Sequence, residues 1–307
     1  MPEPPRLSIV VPTRNRPDDV VDCVRSILRI DGFDELIMVD QSDDRSTEIA
    51  LQVFSDPRVR YLRSTLRGAA NGRNVGITAS RGTVIAFTDD DCRVAPDWAS
   101  SIGRIFAADA QTAVVCGRVH VPEELAKRGF AASFEPEVRE WHGRFPPPGR
   151  DWGITANFAV RRDVFDRVGY FDGVLGPGAP LVCGEEPDFL FRALKSGLKV
   201  INASEVCVEH LGVRAHGAES ARLSRIYAAG TGAAIFKHVR LADPDAIRLY
   251  ARHLIGCCLL ILINLVHLHR PIGIGFTLAF LSGTRSSLKF RIDRGTRLYV
   301  AADSQQS

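Results

Sequence analysis

Three consecutive carboxylates, Asp89, Asp90 and Asp91, close the short apolar run Val-Ile-Ala-Phe-Thr at residues 84–88. A buried strand ending this way gathers negative charge at its carboxyl edge, where a divalent cation would relieve it. Side chains alternate along a strand, so the pattern predicts Asp89 and Asp91 on one face. Hard oxygen donors suit Mg2+ or Mn2+, which commonly complete their shells with substrate phosphates. The same triplet also reads as a solvated acidic turn. The rest of the chain decides between the two.

The elements that would carry these groups follow a regular rhythm. Residues 7–11 predict a strand closed by Pro12, and 18–28 predict a helix through Val20, Val21, Val24, Ile27 and Leu28. A second strand over 36–39 ends at Asp40, and a helix over 47–54 follows a turn in which Asp43 or Asp44 can cap it. A strand at 59–62, a helix at 71–80 and the 84–88 strand complete a β-α-β-α-β-α-β pattern. That alternation predicts an α/β fold with a mostly parallel sheet flanked by helices. Ligands of such sheets collect at the carboxyl ends of strands, where residues 12–15, 40–44 and 89–91 all fall. Further on, 98–108 predicts a helix, 113–121 a strand, and the proline-rich stretch through Pro146–Pro148 a loop. Residues 152–161 predict a strand, 162–168 and 186–196 helices, and 199–209 a last strand before His210.

With 307 residues, 45% of them hydrophobic and 24% charged, the chain has the composition of a globular protein with a substantial core. Its net charge of +3 conceals an asymmetry. Residues 1–210 hold 26 Lys and Arg against 31 Asp and Glu, whereas 211–307 hold 13 against 5. The basic C-terminal third favours an anionic contact. Seven cysteines form no Cys-x-x-Cys pair, and no apolar leader precedes the first strand, which predicts free thiols in a reducing cytosol. Residues 254–268 and 272–284 carry no fixed charge, Arg270 lies between the two runs, and Arg285, Lys289, Arg291, Arg294 and Arg297 follow. Each run is shorter than the roughly 20 residues of a spanning helix. The pattern predicts helices that dip into a membrane surface, pinned by the cationic tail to anionic lipid. A buried helical hairpin or a dimer contact is the alternative. Hydrophobic residues rather than base-stacking aromatics separate the basic residues, which disfavours nucleic acid.

The segments Val10-Val11-Pro12-Thr13-Arg14-Asn15, Val39-Asp40-Gln41-Ser42-Asp43, Gly72-Arg73-Asn74-Val75-Gly76, Phe87-Thr88-Asp89-Asp90-Asp91 and Gly184-Glu185-Glu186-Pro187-Asp188, in this order, resemble glycosyltransferase family 2. The resemblance covers roughly residues 6–210. It implies a GT-A fold over residues 1–210, with a nucleotide-sugar half to about 92 and an acceptor half from 93. Residues 211–307 lie outside it and are expected to form a helical, membrane-associating appendage. The resemblance also implies a metal-dependent inverting transferase that moves a sugar from a nucleoside diphosphate sugar to an acceptor hydroxyl. The apolar, basic C-terminal region adds the expectation of a saccharide or lipid-linked acceptor at the cytoplasmic face of a membrane.

The resemblance assigns roles residue by residue. Pro12, Thr13 and Arg14 would line the nucleotide, and Asp40 would accept a hydrogen bond from the base. Asp91 would ligate Mg2+ or Mn2+, while Asp89 would contact ribose or sugar hydroxyls or reach the metal through water, with Asp90 beside them. Many relatives carry a further acid where this chain has Cys92, a poor Mg2+ ligand when neutral. His210 resembles the histidine that completes the metal site in some relatives; His216 is nearby in sequence. Trp152 and Asn157 would floor the sugar pocket. Glu186 would deprotonate the acceptor hydroxyl, ranked ahead of Asp188 and Glu185.

The residues add their own reasons. Arg73 opens a helix, where a diphosphate is welcome, and Asn74 would orient the acidic loop. Pro187 suits the first position of the following helix, with Asp188 in its first turn paired to Arg192. A nucleotidyltransferase would carry a glycine-rich loop after the first strand, and residues 12–17 contain no glycine. A non-catalytic membrane-binding module of the same fold would have no need of Asp89, Asp91 and Glu186.

Overall fold

The computed structural model describes residues 5–136, 139–142 (backbone only), 153–215, 217–266 and 273–300. The expectations for Trp152, His216 and the Pro146–Pro148 loop lie outside these residues. In chain order the elements are β1 (Leu7–Thr13), α1 (Pro17–Leu28), β2 (Glu35–Asp40), α2 (Ser46–Leu51), β3 (Val59–Arg63), α3 (Ala69–Ala79), β4 (Val84–Thr88), β5 (Cys92–Val94), α4 (Trp98–Ala108) and β6 (Thr112–His120). There follow α5 (Glu123–Ala126), β7 (Gly129–Phe130), β8 (Arg139–His142), β9 (Asn157–Arg161), α6 (Asp163–Val168), α7 (Glu185–Lys195), β10 (Lys199–His210) and β11 (Arg214–Ala215). The chain closes with α8 (Ala218–Arg240), α9 (Pro244–Val266), α10 (Gly273–Ser287), β12 (Arg291–Ile292) and β13 (Tyr299–Val300).

The main sheet runs β3-β2-β1-β4-β9-β6-β10-β5, with β8 also on β10. Strands β1 to β4 pair in parallel, as the alternating pattern predicts. Strand β9 enters antiparallel between β4 and β6, and β5 runs antiparallel to β10. Strands β1, β2 and β4 are buried along their whole length, so both faces are covered and their sequences read as unbroken apolar runs. Edge strand β3 is only partly buried. Strand β1 continues through Pro12, two residues beyond the expected stop.

An aromatic cluster anchors the helix that matters most to the site. Phe189 of α7 stacks on Phe171 with centroids 4.7 Å apart, and Phe171 meets Phe87 of β4 edge-on at 5.5 Å. The apolar face of α7 is thereby tied to the strand that delivers the acidic triplet.

The C-terminal third contains a helix that periodicity does not reveal. Helix α8 is rich in alanine and glycine, with no strong apolar stripe, yet it packs between α7, α9 and α10. Helix α9 is one continuous 23-residue segment rather than the shorter apolar run alone, because Asp245, Arg248 and Arg252 lie on its first turns. Among the described residues it is long and apolar enough to cross a membrane, with only 11% of its most apolar window buried.

Candidate active site

The acidic triplet lies just past β4, in a tight turn closed by the Cys92 amide donating to the Asp89 carbonyl at 3.1 Å. Strand alternation stops at Thr88, so the expected common face of Asp89 and Asp91 is not observed. Asp90 and Asp91 instead share one cation: Nη1 of Arg16 donates to Asp90 Oδ1 at 2.8 Å and to Asp91 Oδ2 at 2.7 Å. Asp89 turns the other way, accepting from Nη2 of Arg73 at 2.7 Å.

Asp91 also meets His210, whose Nε2 lies 3.2 Å from Oδ1. On the far side of the ring, Nδ1 is 2.8 Å from the Ala132 carbonyl, a contact that needs an Nδ1 proton and leaves Nε2 facing the carboxylate. Burial alone would raise the Asp91 carboxyl, but His210 and Arg16 hold it down at about 2. Burial works against the His210 imidazolium too, yet Asp91 draws it up to about 9. Burial lifts Asp90 to about 6, with Arg16 opposing. Gly212 gives Asp91 its room, since a methyl group there would stand 2.1 Å from Oδ2. Beside this group opens a cavity of about 190 Å3, lined by Arg16, Asp91, His210, Arg214, Leu223 and Tyr227.

Arg73 places the second acidic segment next to the first. Its guanidinium, almost fully buried, reaches Glu185 Oε1 at 3.5 Å while bonding Asp89. In this structure Arg73 is a strut between α3, the β4 turn and α7. Burial, with Glu186 adding repulsion, drives Glu185 well above the usual carboxylate range against the pull of Arg73. Glu186 is half-buried, and its Oε1 accepts from the Thr155 hydroxyl at 2.8 Å and the Thr155 amide at 3.2 Å. Helix α7 begins at Glu185, with Gly184 as N-cap at φ +105°, so Glu186 is helical and Pro187 is third rather than first. A first-turn proline costs nothing there, because that N–H has no intrahelical partner.

Other expected site residues are engaged elsewhere. Asp188 is fully buried, pairing with Arg192, Lys237 and His238, which leaves it no path to a substrate proton. Asn157 accepts from Trp98 Nε1 at 2.9 Å and donates to the Arg118 and Val206 carbonyls, so it braces the strands instead of a sugar. Asn74 exchanges bonds with the backbone of Phe171, not with the acidic loop. Asp40 is buried, accepting from Tyr61 Oη at 2.7 Å and the Ser42 amide at 2.8 Å. Asp44 accepts from the Ser46 amide at the start of α2, whereas Asp43 pairs with Asn15, Arg14 and Arg67.

Thr13 donates to Asp90 Oδ2 at 2.8 Å, and Asn15 bonds Ser42 and Asp43. The turns after β1, β2 and β4 are thus laced into one rim, with Pro12 buried and Arg14 exposed along it. Arg16 and Tyr227 are absent from the sequence-based set. The position of Arg16 three residues past Thr13 is a usable signal for the first; nothing local marks the second.

A model of the family described as glycosyl transferase family 2 matches residues 8–169, just over half of the chain. The uncharacterized glycosyltransferase EpsJ of Bacillus subtilis strain 168 is 30% identical over 174 residues, which are 53% of this chain and 50% of EpsJ. The succinoglycan biosynthesis protein ExoO of Rhizobium meliloti strain 1021 is 37% identical over 113 residues, 36% of this chain and 32% of ExoO. The chain therefore spans half or less of these relatives. In three dimensions it resembles the mannosyltransferase PcManGT of Pyrobaculum calidifontis, solved in complex with GDP-Man and Mn2+, with a TM-score of 0.60 at 17% identity, covering 94% of this chain and 88% of that one. That likeness bears on the fold, which is the GT-A type implied by the motifs. The chain belongs to glycosyl transferase family 2.

Proposed function

We propose that the protein transfers a sugar from a nucleoside diphosphate sugar to an acceptor hydroxyl, with inversion at the anomeric carbon. The observation that carries this reading is Arg73, whose one guanidinium meets both Asp89 and Glu185 and so sets the acidic turn beside the start of α7. The laced turns after β1 and β2, with Pro12, Thr13 and Arg14, form the nucleotide rim, and the buried Asp40 braces it from behind. Glu186 takes the proton of the acceptor hydroxyl as its oxygen bonds the anomeric carbon and the bond to the diphosphate breaks. One displacement suffices, and no covalent sugar-enzyme bond is needed.

The residues present fit a divalent cation. Asp91, Cys92 and His210 offer ligand atoms within 4.8 Å of one another, and the ring of His210 is oriented by Ala132. Burial pushes the Cys92 thiol well above its usual range, so Asp91 and His210 would be the ligands, His210 through Nε2 once that nitrogen has lost its proton. Mn2+ accepts a mixed oxygen and imidazole set better than Mg2+ does. When bound, the ion would neutralise charge on the departing diphosphate. Arg16, bridging Asp90 and Asp91, supports this reading as a sign of the negative charge gathered there.

UDP-glucose, UDP-N-acetylglucosamine, GDP-mannose and dTDP-glucose, each with Mn2+ or Mg2+, test the reading through release of the nucleoside diphosphate. At least one donor is expected to turn over, and chelation by EDTA to stop it. No release from any donor with either metal would remove the proposal.

We further propose that α9 and α10 seat the enzyme on the cytoplasmic face of a membrane, near a lipid-linked or cell-surface saccharide acceptor. Ile255, Leu259, Leu262, Ile263 and Val266 of α9 and Leu278 of α10 are exposed, and Arg285, Lys289, Arg291 and Arg294 follow them on the surface. Ala246 and Leu249 pack on the catalytic body, so the first turns of α9 stay out of the lipid. The protein is expected to co-sediment with phosphatidylglycerol vesicles and much less with phosphatidylcholine alone. Equal recovery in the supernatant with both would rule this out.

A further inference from the structure

We propose that helix α8, which lies beyond the residues matched by the family, positions Glu186. Gly230 acts through backbone contact with Cys183 and Gly184, and Lys237 acts by holding Asp188 in the first turn of α7. The inference rests on reading Glu186 as the proton acceptor.

Two independent observations carry it. The first is steric. A methyl group at Gly230 would stand 2.4 Å from Cys183 Cβ and 2.6 Å from the Cys183 carbonyl, and one at Gly184 would stand 2.6 Å from the Gly230 oxygen. The two backbones therefore touch at the residue that caps α7, directly before Glu185 and Glu186. Behind this contact α8 cannot give way. A methyl at Gly232 would lie 2.2 Å from the Phe280 oxygen, and one at Gly283 would lie 1.8 Å from the Ala229 oxygen, so α10 presses on α8 at the same level.

The second observation is electrostatic. Lys237 is fully buried, with Nζ 2.5 Å from Asp188 Oδ1 and 2.6 Å from Asp172 Oδ2. His238 Nε2 lies 2.8 Å from the same Asp188 oxygen, and Arg192 holds the other. Buried carboxylates are tolerable only with such partners, so the first turn of α7 follows wherever α8 places its lysine. Glu186 lies between the two contacts, with Gly184 on one side and Asp188 on the other. Its side chain has Thr155 as a further restraint. A displacement of about 1 Å at a reacting group can cost about a hundred-fold in rate.

Gly230→Ala tests this without removing a charge, and alanine favours helix, so α8 itself is not weakened. Gly256→Ala, the same change on α9 in open space, is the control. The expected result for Gly230→Ala is a ten- to hundred-fold lower kcat for nucleoside diphosphate release, with donor KM and the affinity for UDP with Mn2+ unchanged. Gly256→Ala is expected to match the wild type. Hydrogen exchange supplies a readout free of turnover. The Asp188 amide, which donates to the Gly184 carbonyl at 3.1 Å, is expected to exchange at least ten-fold faster in Gly230→Ala while β1 and β4 keep their protection. It is expected to exchange faster in Lys237→Met as well, there by a larger factor than any loss of protection in β1 and β4. An unchanged kcat with unchanged exchange overturns the proposal, and so does a parallel loss of UDP binding. A wild type that releases no nucleotide defeats the transferase reading alone, and the exchange rates still decide whether α8 sets this turn.

Discussion

Asp91→Asn is expected to lower sugar transfer about a thousand-fold, the scale on which one electrostatic stabiliser of a departing group counts. Asparagine keeps the shape but loses the charge that His210 and Arg16 now share. The Oδ1 side of Asp91 faces Nε2 of His210, so a cation held there loses the carboxylate beside that imidazole. The fold should survive, because Arg16 retains Asp90 and the Leu211 amide still donates to the Asp91 backbone carbonyl at 2.9 Å. Titration of Mn2+ into both proteins, followed by nucleoside diphosphate release, checks the two halves of this expectation. Asp22→Asn, an exposed change on α1, serves as the control and should leave both readings unaltered. Wild-type turnover by Asp91→Asn, or wild-type turnover in EDTA, would show that the acidic turn has another purpose.

Glu186→Gln should produce a comparable loss, roughly a hundred- to ten-thousand-fold, by a different route. The amide oxygen of glutamine can still accept from the Thr155 hydroxyl and amide, so the geometry is preserved and only proton uptake is lost. Donor affinity is therefore expected to stay at its wild-type value while kcat collapses, a split that misfolding would not produce. Retention of kcat would place the base elsewhere. Asp188 offers no equivalent experiment. It is fully buried among Arg192, Lys237 and His238, and removing a partner from such a set costs about 3 to 5 kcal/mol of stability.

These two side chains illustrate how a one-dimensional reading works here and where it stops. Asp91 and Glu186 both stand at element ends in a β-α alternation, and alternation with apolar spacing is a local property that survives in the chain itself. Asn157 and Asn74 were equally well placed by order along the sequence. Their amides are consumed by Trp98, Arg118, Val206 and Phe171, partners 39 to 97 residues away that no spacing rule connects. Arg73 behaves similarly. A helix start predicts an acceptor near it, and the side chains that Arg73 meets are Asp89 and Glu185, 16 and 112 residues away.

Within the C-terminal region expected to be helical, apolar periodicity does not mark α8, for a related reason. Its Ala-Ala-Gly-Thr-Gly-Ala-Ala stretch carries little apolar signal, because its burial comes from backbone-to-backbone approach that only small residues allow. Likewise Tyr227 joins the cavity by position on that helix, with no local pattern to announce it.

From the residue order alone come the parallel α/β core, the ends of β1, β2 and β4 as the ligand edge, the acidic turn, the acidic start of α7 and an apolar, basic C-terminal region. Each depends on periodicity or on charge concentrated within a few neighbours. Tertiary structure decided which carboxylates face the cleft and which are spent on ion pairs. It also decided that Arg16 rather than Arg73 borders the cavity, and that the C-terminal helices brace the catalytic ones. The physical reason is that desolvation and pairing depend on what the fold brings within about 4 Å, and the strongest such pairs here join residues far apart in the chain.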